Sequence, residues 1–175
     1  VRDFQFQNLG IYYLKEGQYD LALKYFEIAA ANMPSNLFNK IYIAYIYLSK
    51  EEYAAAHQLI EPLLREFPEN TKLNETFCLI LLKEIQFVEA EFYSKKLLKQ
   101  DLNNTFPLIV LAETARKREN YQSAVSYWQL YQLTNSLDPY CNLALIELYN
   151  KTGDKEKLDV ELAKLFCLKK TLSIK

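Results

Sequence analysis

The residue types that most often carry out chemistry are few in this chain and lie far apart. His57 is the only histidine, and the three cysteines, Cys78, Cys141 and Cys167, form no Cys-x-x-Cys pair. A structural zinc site needs four ligands at close spacing, so the sequence predicts no bound metal. Scattered free thiols are typical of a reducing compartment, which favours a cytoplasmic location and leaves a periplasmic one open.

No motif for nucleotide binding or catalysis accompanies these residues. The loops Gly-x-x-x-x-Gly-Lys-Ser/Thr and Gly-x-Gly-x-x-Gly, whose backbone holds phosphate groups, do not occur. His57 is expected to be a surface or partly packed side chain, and Cys78 a thiol of the core. We therefore expect no enzymatic activity, no catalytic residue and no cofactor.

Composition and charge exclude other classes of function. The formal net charge is -1, and no basic stripe is present that could follow a nucleic-acid backbone. No apolar stretch has the length of a membrane span, so membrane insertion is not expected. The chain contains three glycines, which predicts long helices joined by short loops and few left-handed turns.

An internal repeat in the sequence determines which helices would position a functional surface. One alanine column recurs every 34 residues without insertion or loss, and its members are Ala22, Ala56, Ala90, Ala124 and, out of pattern, Leu158. A second column, twelve residues earlier, is small in four of five cases and contains Gly10, Ala44, Cys78, Ala112 and Ile146. Small residues at a fixed period indicate places where two helices cross closely.

Each repeat contains two runs of apolar residues at three- and four-residue steps, the pattern of two amphipathic helices. Asp138 followed by Pro139 is a typical start of the last pair. The predicted helix pairs are 3–16 and 20–33, 37–50 and 54–67, 71–84 and 88–101, 105–118 and 122–135, and 139–152 and 156–171. The chain is thus predicted to be an all-α protein with a single array over 1–175.

The first repeat resembles a tetratricopeptide repeat (TPR) closely. It carries the motif residues Gly10, Tyr13, Ala22, Phe26, Ala29 and Pro34 at the family spacing. The later repeats match less completely, and the fifth has Lys155 and Leu158 where an aromatic residue and an alanine are usual. The resemblance divides the chain into repeats at about 3–36, 37–70, 71–104, 105–138 and 139–172.

This resemblance implies an α-solenoid, a right-handed superhelix of antiparallel helix pairs whose first helices line an inner face. A partner protein or peptide is expected to bind there. The positions expected to face inward are Phe4, Gln7, Ile11, Phe38, Ile41, Tyr42, Tyr45, Lys72, Thr76, Leu79, Phe106, Ile109, Val110, Glu113, Tyr140, Leu143, Ala144 and Glu147. Because this set is largely apolar, it predicts a covered, aromatic-lined groove with Tyr42, Tyr45 and Phe106 as anchors.

Some members of the family hold the carboxylate tail of a chaperone with lysine, asparagine and arginine at five inner positions. In the first three repeats these positions are Gln7, Ile11, Tyr42, Lys72 and Thr76, of which Lys72 alone agrees. The same comparison fails from the second and third repeats. Binding of such tails is therefore not expected.

The sequence favours a protein-interaction scaffold and leaves three alternatives open. The array could be part of a longer TPR protein, with its groove or end helices packed within that protein. The apolar tail Leu165, Phe166, Leu168, Leu172 and Ile174 supports this alternative. Terminal helices could also mediate self-association, or the array could regulate a separate enzyme domain.

Overall fold

The computed structural model describes residues 3–172, and within them it shows ten helices. The helices are α1 (Asp3–Lys15), α2 (Tyr19–Asn32), α3 (Leu37–Ser49), α4 (Tyr53–Glu66), α5 (Thr71–Lys83), α6 (Phe87–Gln100), α7 (Phe106–Lys117), α8 (Tyr121–Thr134), α9 (Pro139–Thr152) and α10 (Lys155–Leu172). Every predicted helix is present, and no predicted end differs by more than one residue. The prediction of an all-α helical-repeat fold is confirmed.

The chain divides into two compact units. The first ends at Glu89 and the second begins at Ala90. The prediction that the five repeats form a single array stays a prediction. No helix among residues 3–172 is both long enough and apolar enough to cross a membrane. Ile174 and the side chain of Leu172, which belong to the predicted apolar tail, lie outside the described residues.

Side-chain caps start several helices where the sequence changes from polar to apolar. Asn36 accepts a hydrogen bond from the backbone N–H of Phe38, and Asn70 accepts one from Leu73, each at 3.0 Å. Asp138 accepts from the N–H of Tyr140 at 2.9 Å, with Pro139 at the start of α9. The predicted cap at Asp138 is therefore confirmed, and it satisfies a donor that the helix leaves without a partner.

The turn inside each repeat is left-handed, which contradicts the expectation drawn from the scarcity of glycine. The residues with positive φ recur every 34 positions and are Gly17 (69°), Glu51 (61°), Ile85 (65°), Glu119 (60°) and Gly153 (76°). In every turn the next N–H bonds back to a carbonyl five residues earlier, as in a Schellman motif. This bond requires the left-handed residue whatever its type, so Glu51, Ile85 and Glu119 accept backbone strain.

The small-residue columns lie in the interior, as predicted. Ala22, Ala56, Ala90 and Ala124 are fully buried. In the first unit, Ala22 and Phe26 form a core cluster with Ile43 and Ile46. In the second unit, a larger cluster surrounds the fully buried indole of Trp128 and includes Ala112, Ala124, Tyr131, Leu145 and Leu148.

The fifth repeat departs from this apolar pattern and holds its last helix with polar contacts. Glu161 of α10 is 4% exposed, and one of its carboxylate oxygens accepts from Asn142 (2.7 Å) and Gln132 (2.9 Å). Its other oxygen bonds the ammonium group of Lys164 at 2.6 Å. Because a buried carboxylate needs such donors, this group joins α10 to α8 and α9.

Candidate partner-binding faces

The first helices of the first unit carry a cluster of aromatic rings. The Tyr42 ring of α3 lies 4.3 Å from Phe38 and 5.1 Å from the buried ring of Phe26, measured between centroids. Tyr45 meets Tyr42 edge-on at 6.0 Å. Phe38 is 37% exposed, whereas Tyr42 and Tyr45 are half-buried. Tyr42 therefore links the core to the surface, and Phe38 presents the more accessible ring.

Polar groups surround this aromatic cluster. Gln7 of α1 donates to the side-chain oxygen of Asn39 at 3.1 Å, and both residues are buried. On α5, the ammonium group of Lys72 bonds the carboxylate of Glu75 at 2.7 Å. This hydrogen bond raises the pKa of Lys72 above its ordinary value. The Lys72 charge is thus paired within α5 by the carboxylate of Glu75.

The second unit presents a separate face on α7 and α9. Tyr140 is 55% exposed, and its ring meets the buried Trp128 ring edge-on at 5.5 Å between centroids. Leu143 is 52% exposed, while Phe106 and Ile109 are half-buried. Because Tyr140 and Leu143 are three residues apart on one helix, they lie on the same side of α9.

An ion network accompanies this second face. Glu113 accepts two hydrogen bonds from the Arg116 guanidinium, from Nε at 3.0 Å and from Nη2 at 2.6 Å. Arg116 also lies 3.6 Å from a carboxylate oxygen of Glu147. The hydrogen bond to Glu113 raises the pKa of Arg116, and burial followed by the charge of Glu113 raises the pKa of Tyr140. Two carboxylates against one guanidinium leave this group with a net negative charge.

Some of the predicted inner positions are buried, and a partner could reach only the others. Those buried are Gln7, Ile41, Thr76 and Val110. Ile11, Tyr42, Tyr45, Leu79, Phe106, Ile109, Glu113 and Ala144 are half-buried, and Phe4, Phe38, Lys72, Tyr140, Leu143 and Glu147 are exposed. The buried members pack within the units, and partner contact at the other positions stays a prediction.

Arg116 was missed as a component of this face. Its position three residues after Glu113 on a helix is the signal that could have found it.

The chemically reactive side chains have structural surroundings. His57 lies 2.6 Å from the carboxylate of Glu84 and meets the Phe77 ring edge-on at 5.1 Å between centroids. It is the partly packed histidine that the sequence predicts. Cys78 is fully buried, which confirms its placement in the core. Burial raises the pKa of the Cys141 thiol to about 12, so this cysteine stays a thiol at neutral pH.

Comparison with known proteins supports the repeat assignment. No family model matches the chain. A TPR repeat-containing protein of Methanocaldococcus jannaschii is 26% identical over 147 residues, which cover 83% of this chain. The chain spans only 26% of that protein's length.

Solved structures share the fold at low sequence identity. A thermophilic TPR protein of Thermus thermophilus matches with a TM-score of 0.82 and 16% identity, covering 93% of this chain and 89% of that one. A MamA fragment from Desulfovibrio magneticus matches at 0.76 and 13%, covering 98% and 97%. A tetratricopeptide repeat protein of Parabacteroides merdae matches at 0.79 and 19%, covering 94% and 64%. With the 34-residue register and the ten described helices, these likenesses show that the chain has a helical-repeat fold of the tetratricopeptide type.

Proposed function

We propose that this chain is a protein-interaction module and that the α7–α9 face of its second unit binds an apolar segment of a partner protein. TPR proteins generally mediate protein–protein interactions. The observation that carries the proposal is the exposure of Tyr140 (55%) and Leu143 (52%) side by side on α9. Tyrosine is one of the residue types that most often anchor such interfaces, and a neighbouring apolar side chain helps to exclude water from the contact.

The chemistry of this face indicates the kind of segment that it accepts. Phe106 and Ile109 extend the apolar surface on α7, so the bound segment supplies apolar side chains at helical or alternating spacing. The Glu113–Arg116–Glu147 network has a net negative charge, and Glu147 keeps 51% of its side chain exposed. A lysine or arginine beside the apolar residues of the segment complements that charge.

The aromatic face of the first unit is proposed to bind in the same way. Among the predicted inner positions of the first unit, Phe4 and Phe38 have exposed rings, at 58% and 37%. Tyr42, which the sequence predicts to be an anchor for a partner, is packed between Phe26 and Phe38. Its truncation would therefore damage the core as well as the surface. Phe4 and Phe38 are therefore better positions for a test of binding.

The experiment compares two double variants in affinity capture from a lysate of the source organism. One is Tyr140→Ala with Leu143→Ala, and the matched control is Leu130→Ala with Leu133→Ala on α8, where both leucines are also exposed. The control should capture the same partner as the wild-type chain, and the α9 variant should lose it. With the purified partner, the α9 variant should bind at least about thirtyfold more weakly, since an anchor contributes about 2 kcal/mol.

Equal capture by both variants would contradict the α9 face as the binding site. Circular dichroism spectra must match the wild type, so that a loss of binding reports the surface and not the fold. A partner lost only by the control variant would place the interface on the second helices instead.

No reaction is assigned to the chain. TPR repeat proteins are typically non-enzymatic scaffolds. The described side chains with reactive groups also have structural surroundings, such as the contacts of His57 with Glu84 and Phe77. We propose that the chain acts through binding alone.

A second candidate function follows from α10. Leu162 (46%) and Phe166 (71%) are exposed four residues apart on this helix, so they form one apolar side. That side would pack on a further helix, either in a longer TPR chain or in a second copy. The greater length of the archaeal relative is consistent with the first arrangement. Light scattering of the wild type and of the double variant Leu162→Glu with Phe166→Glu tests self-association. If a second copy packs on this side of α10, the wild type is a dimer and the double variant is a monomer.

A further inference from the structure

One column of the repeat carries a large side chain in every repeat except the fourth. Its members are Tyr13, Tyr47, Leu81, Ala115 and Tyr149, each 34 residues after the one before. The column lies on the first helix of each pair, close to the left-handed turn. Because the fourth repeat has Ala115 in this column, it lacks the large side chain that the other repeats place there.

The large members of this column fill space between helices. Tyr13 of α1 stacks on Tyr25 of α2 with the ring planes 3° apart and the centroids 5.3 Å apart. Tyr47 packs against the core cluster that contains Phe26 and Ile43. Tyr149 is 4% exposed, and its hydroxyl accepts a hydrogen bond from Gln129 at 3.0 Å. In these repeats the column is therefore a site for a phenol ring of the chain itself.

In the fourth repeat the same place is a cavity. It has a volume of about 340 Å³, and its lining includes Ala115, Leu111 and Tyr127. Tyr127 on α8 holds the position that Tyr25 holds on α2 in the first repeat. The ring on which a tyrosine of this column would stack is thus present, whereas the tyrosine itself is replaced by Ala115.

The cavity also has polar groups in its wall. Thr114 is 2% exposed, and its hydroxyl makes no hydrogen bond to another protein group. At the rim, Glu91 lies 3.5 Å from Arg118, and its other carboxylate oxygen lies 2.6 Å from the ammonium group of Lys95. A buried hydroxyl without a partner is costly, and a ligand that supplies one would remove that cost.

We propose that this cavity, which we call the Ala115 pocket, binds a phenol ring supplied by another molecule. The ring stacks on Tyr127 in the place that Tyr13 occupies against Tyr25. Its hydroxyl bonds the polar wall, where Arg118 donates hydrogen bonds, Glu91 accepts them and the Thr114 hydroxyl can do either. The phenol ring comes from a tyrosine side chain of a peptide or from a free phenolic compound.

The test uses 4-fluorophenol as the probe and ¹⁹F NMR as the readout. We expect a saturable change of the fluorine signal with the wild-type chain. Ala115→Tyr, which restores the residue of the other repeats, should weaken binding at least tenfold and raise the melting temperature. Ala115→Leu is the second variant, which introduces the residue type of Leu81, and it should also weaken binding at least tenfold. Thr114→Val should weaken binding of 4-fluorophenol but leave that of fluorobenzene unchanged.

Two results would overturn the proposal. One is the absence of saturation with the wild-type chain, and the other is saturation that Ala115→Tyr and Ala115→Leu leave unchanged. The double variant Tyr140→Ala with Leu143→Ala should retain the Ala115 pocket, so that a failure of this test is separate from a failure of the α9 interface. A comparison of N-acetyl-tyrosinamide with 4-fluorophenol identifies the source, since tighter binding of the amide favours a peptide.

Discussion

The helix pairs α1–α2 and α7–α8 occupy equivalent positions in the repeat but close their interfaces in different ways. In α1–α2 the backbone of Gly10 lies against Phe26, so that a Cβ at Gly10 would be 2.8 Å from a carbon of that ring. In α7–α8 the equivalent residues are Ala112 and Trp128, both fully buried. The repeat thus fixes where a small residue meets a large one, and the residue pair sets how closely the helices approach.

A second difference lies nearer the turn. Tyr13 and Tyr25 fill the first pair with two stacked rings, whereas in the fourth repeat Ala115 and Tyr127 line a pocket of about 340 Å³ that is partly open to solvent. A constant register thus specifies the fold, while the residue at one position of that register changes how the space between the two helices is filled.

The largest expected effect on the free energy of unfolding comes from truncating the large buried ring of each pair, Trp128 in α7–α8 and Phe26 in α1–α2. Trp128→Ala should lower the free energy of unfolding by about 3–5 kcal/mol, because it removes a fully buried indole. Phe26→Ala should cost a similar amount in the first pair. Urea unfolding followed by circular dichroism measures both values. If Trp128→Ala costs much less than Phe26→Ala, the α7–α8 interface collapses around the loss and is the more adaptable of the two.

Tyr13→Ala makes the first pair resemble the fourth. It should create a cavity beside Tyr25 and lower the free energy of unfolding by about 2 kcal/mol, less than for a fully buried ring because Tyr13 is half-buried. The matched control is Tyr12→Ala, whose ring is 56% exposed and should cost much less. A Tyr13 variant as stable as the wild type would show that the stacked rings do not close this interface.

These differences separate what the sequence predicts from what it cannot. The 34-residue spacing of Ala22, Ala56 and Ala90 set the repeat, and the two apolar runs within each repeat predicted every described helix. Left-handed turns were missed because a backbone hydrogen bond, not the residue type, imposes the conformation of Ile85. The spacing did not reveal the Ala115 pocket, since an alanine on a helix is ordinary by itself.

The inner face shows the same limit. Ile41 and Phe38 are both on the first helix of the second repeat, and both were predicted to contact a partner. Ile41 is 8% exposed and Phe38 is 37% exposed. The packing of neighbouring helices sets this difference in exposure. The position of a residue within the repeat does not reveal it.

Gly10→Ala tests the close approach in the first pair. The added methyl group would force the Phe26 ring to move, and the overpacking outweighs the better helix propensity of alanine, for a net loss of about 1 kcal/mol. The reverse change, Ala112→Gly, should also destabilise the chain by about 1 kcal/mol through helix propensity. Chemical unfolding of both variants is the measurement. A stabilised Gly10→Ala variant would mean that the ring moves at little cost.

The smallest expected effect is at the turns of the two pairs, where Gly17 and Glu119 have φ of 69° and 60°. Glu119→Gly should stabilise the chain by about 0.5 kcal/mol, because relief of left-handed strain exceeds the entropic cost of glycine. The melting temperature and the urea midpoint should both rise slightly.

The control for this turn is Glu119→Ala, which removes the same charge but keeps the Cβ atom that causes the strain. If the alanine variant is as stable as the glycine variant, the gain comes from the lost charge and not from the backbone. If only glycine stabilises, the fourth repeat carries avoidable strain at its turn as well as an unfilled pocket beside Ala115. In that case α7–α8 has kept two unfavourable features that α1–α2 lacks, and both lie at the same end of the helix pair.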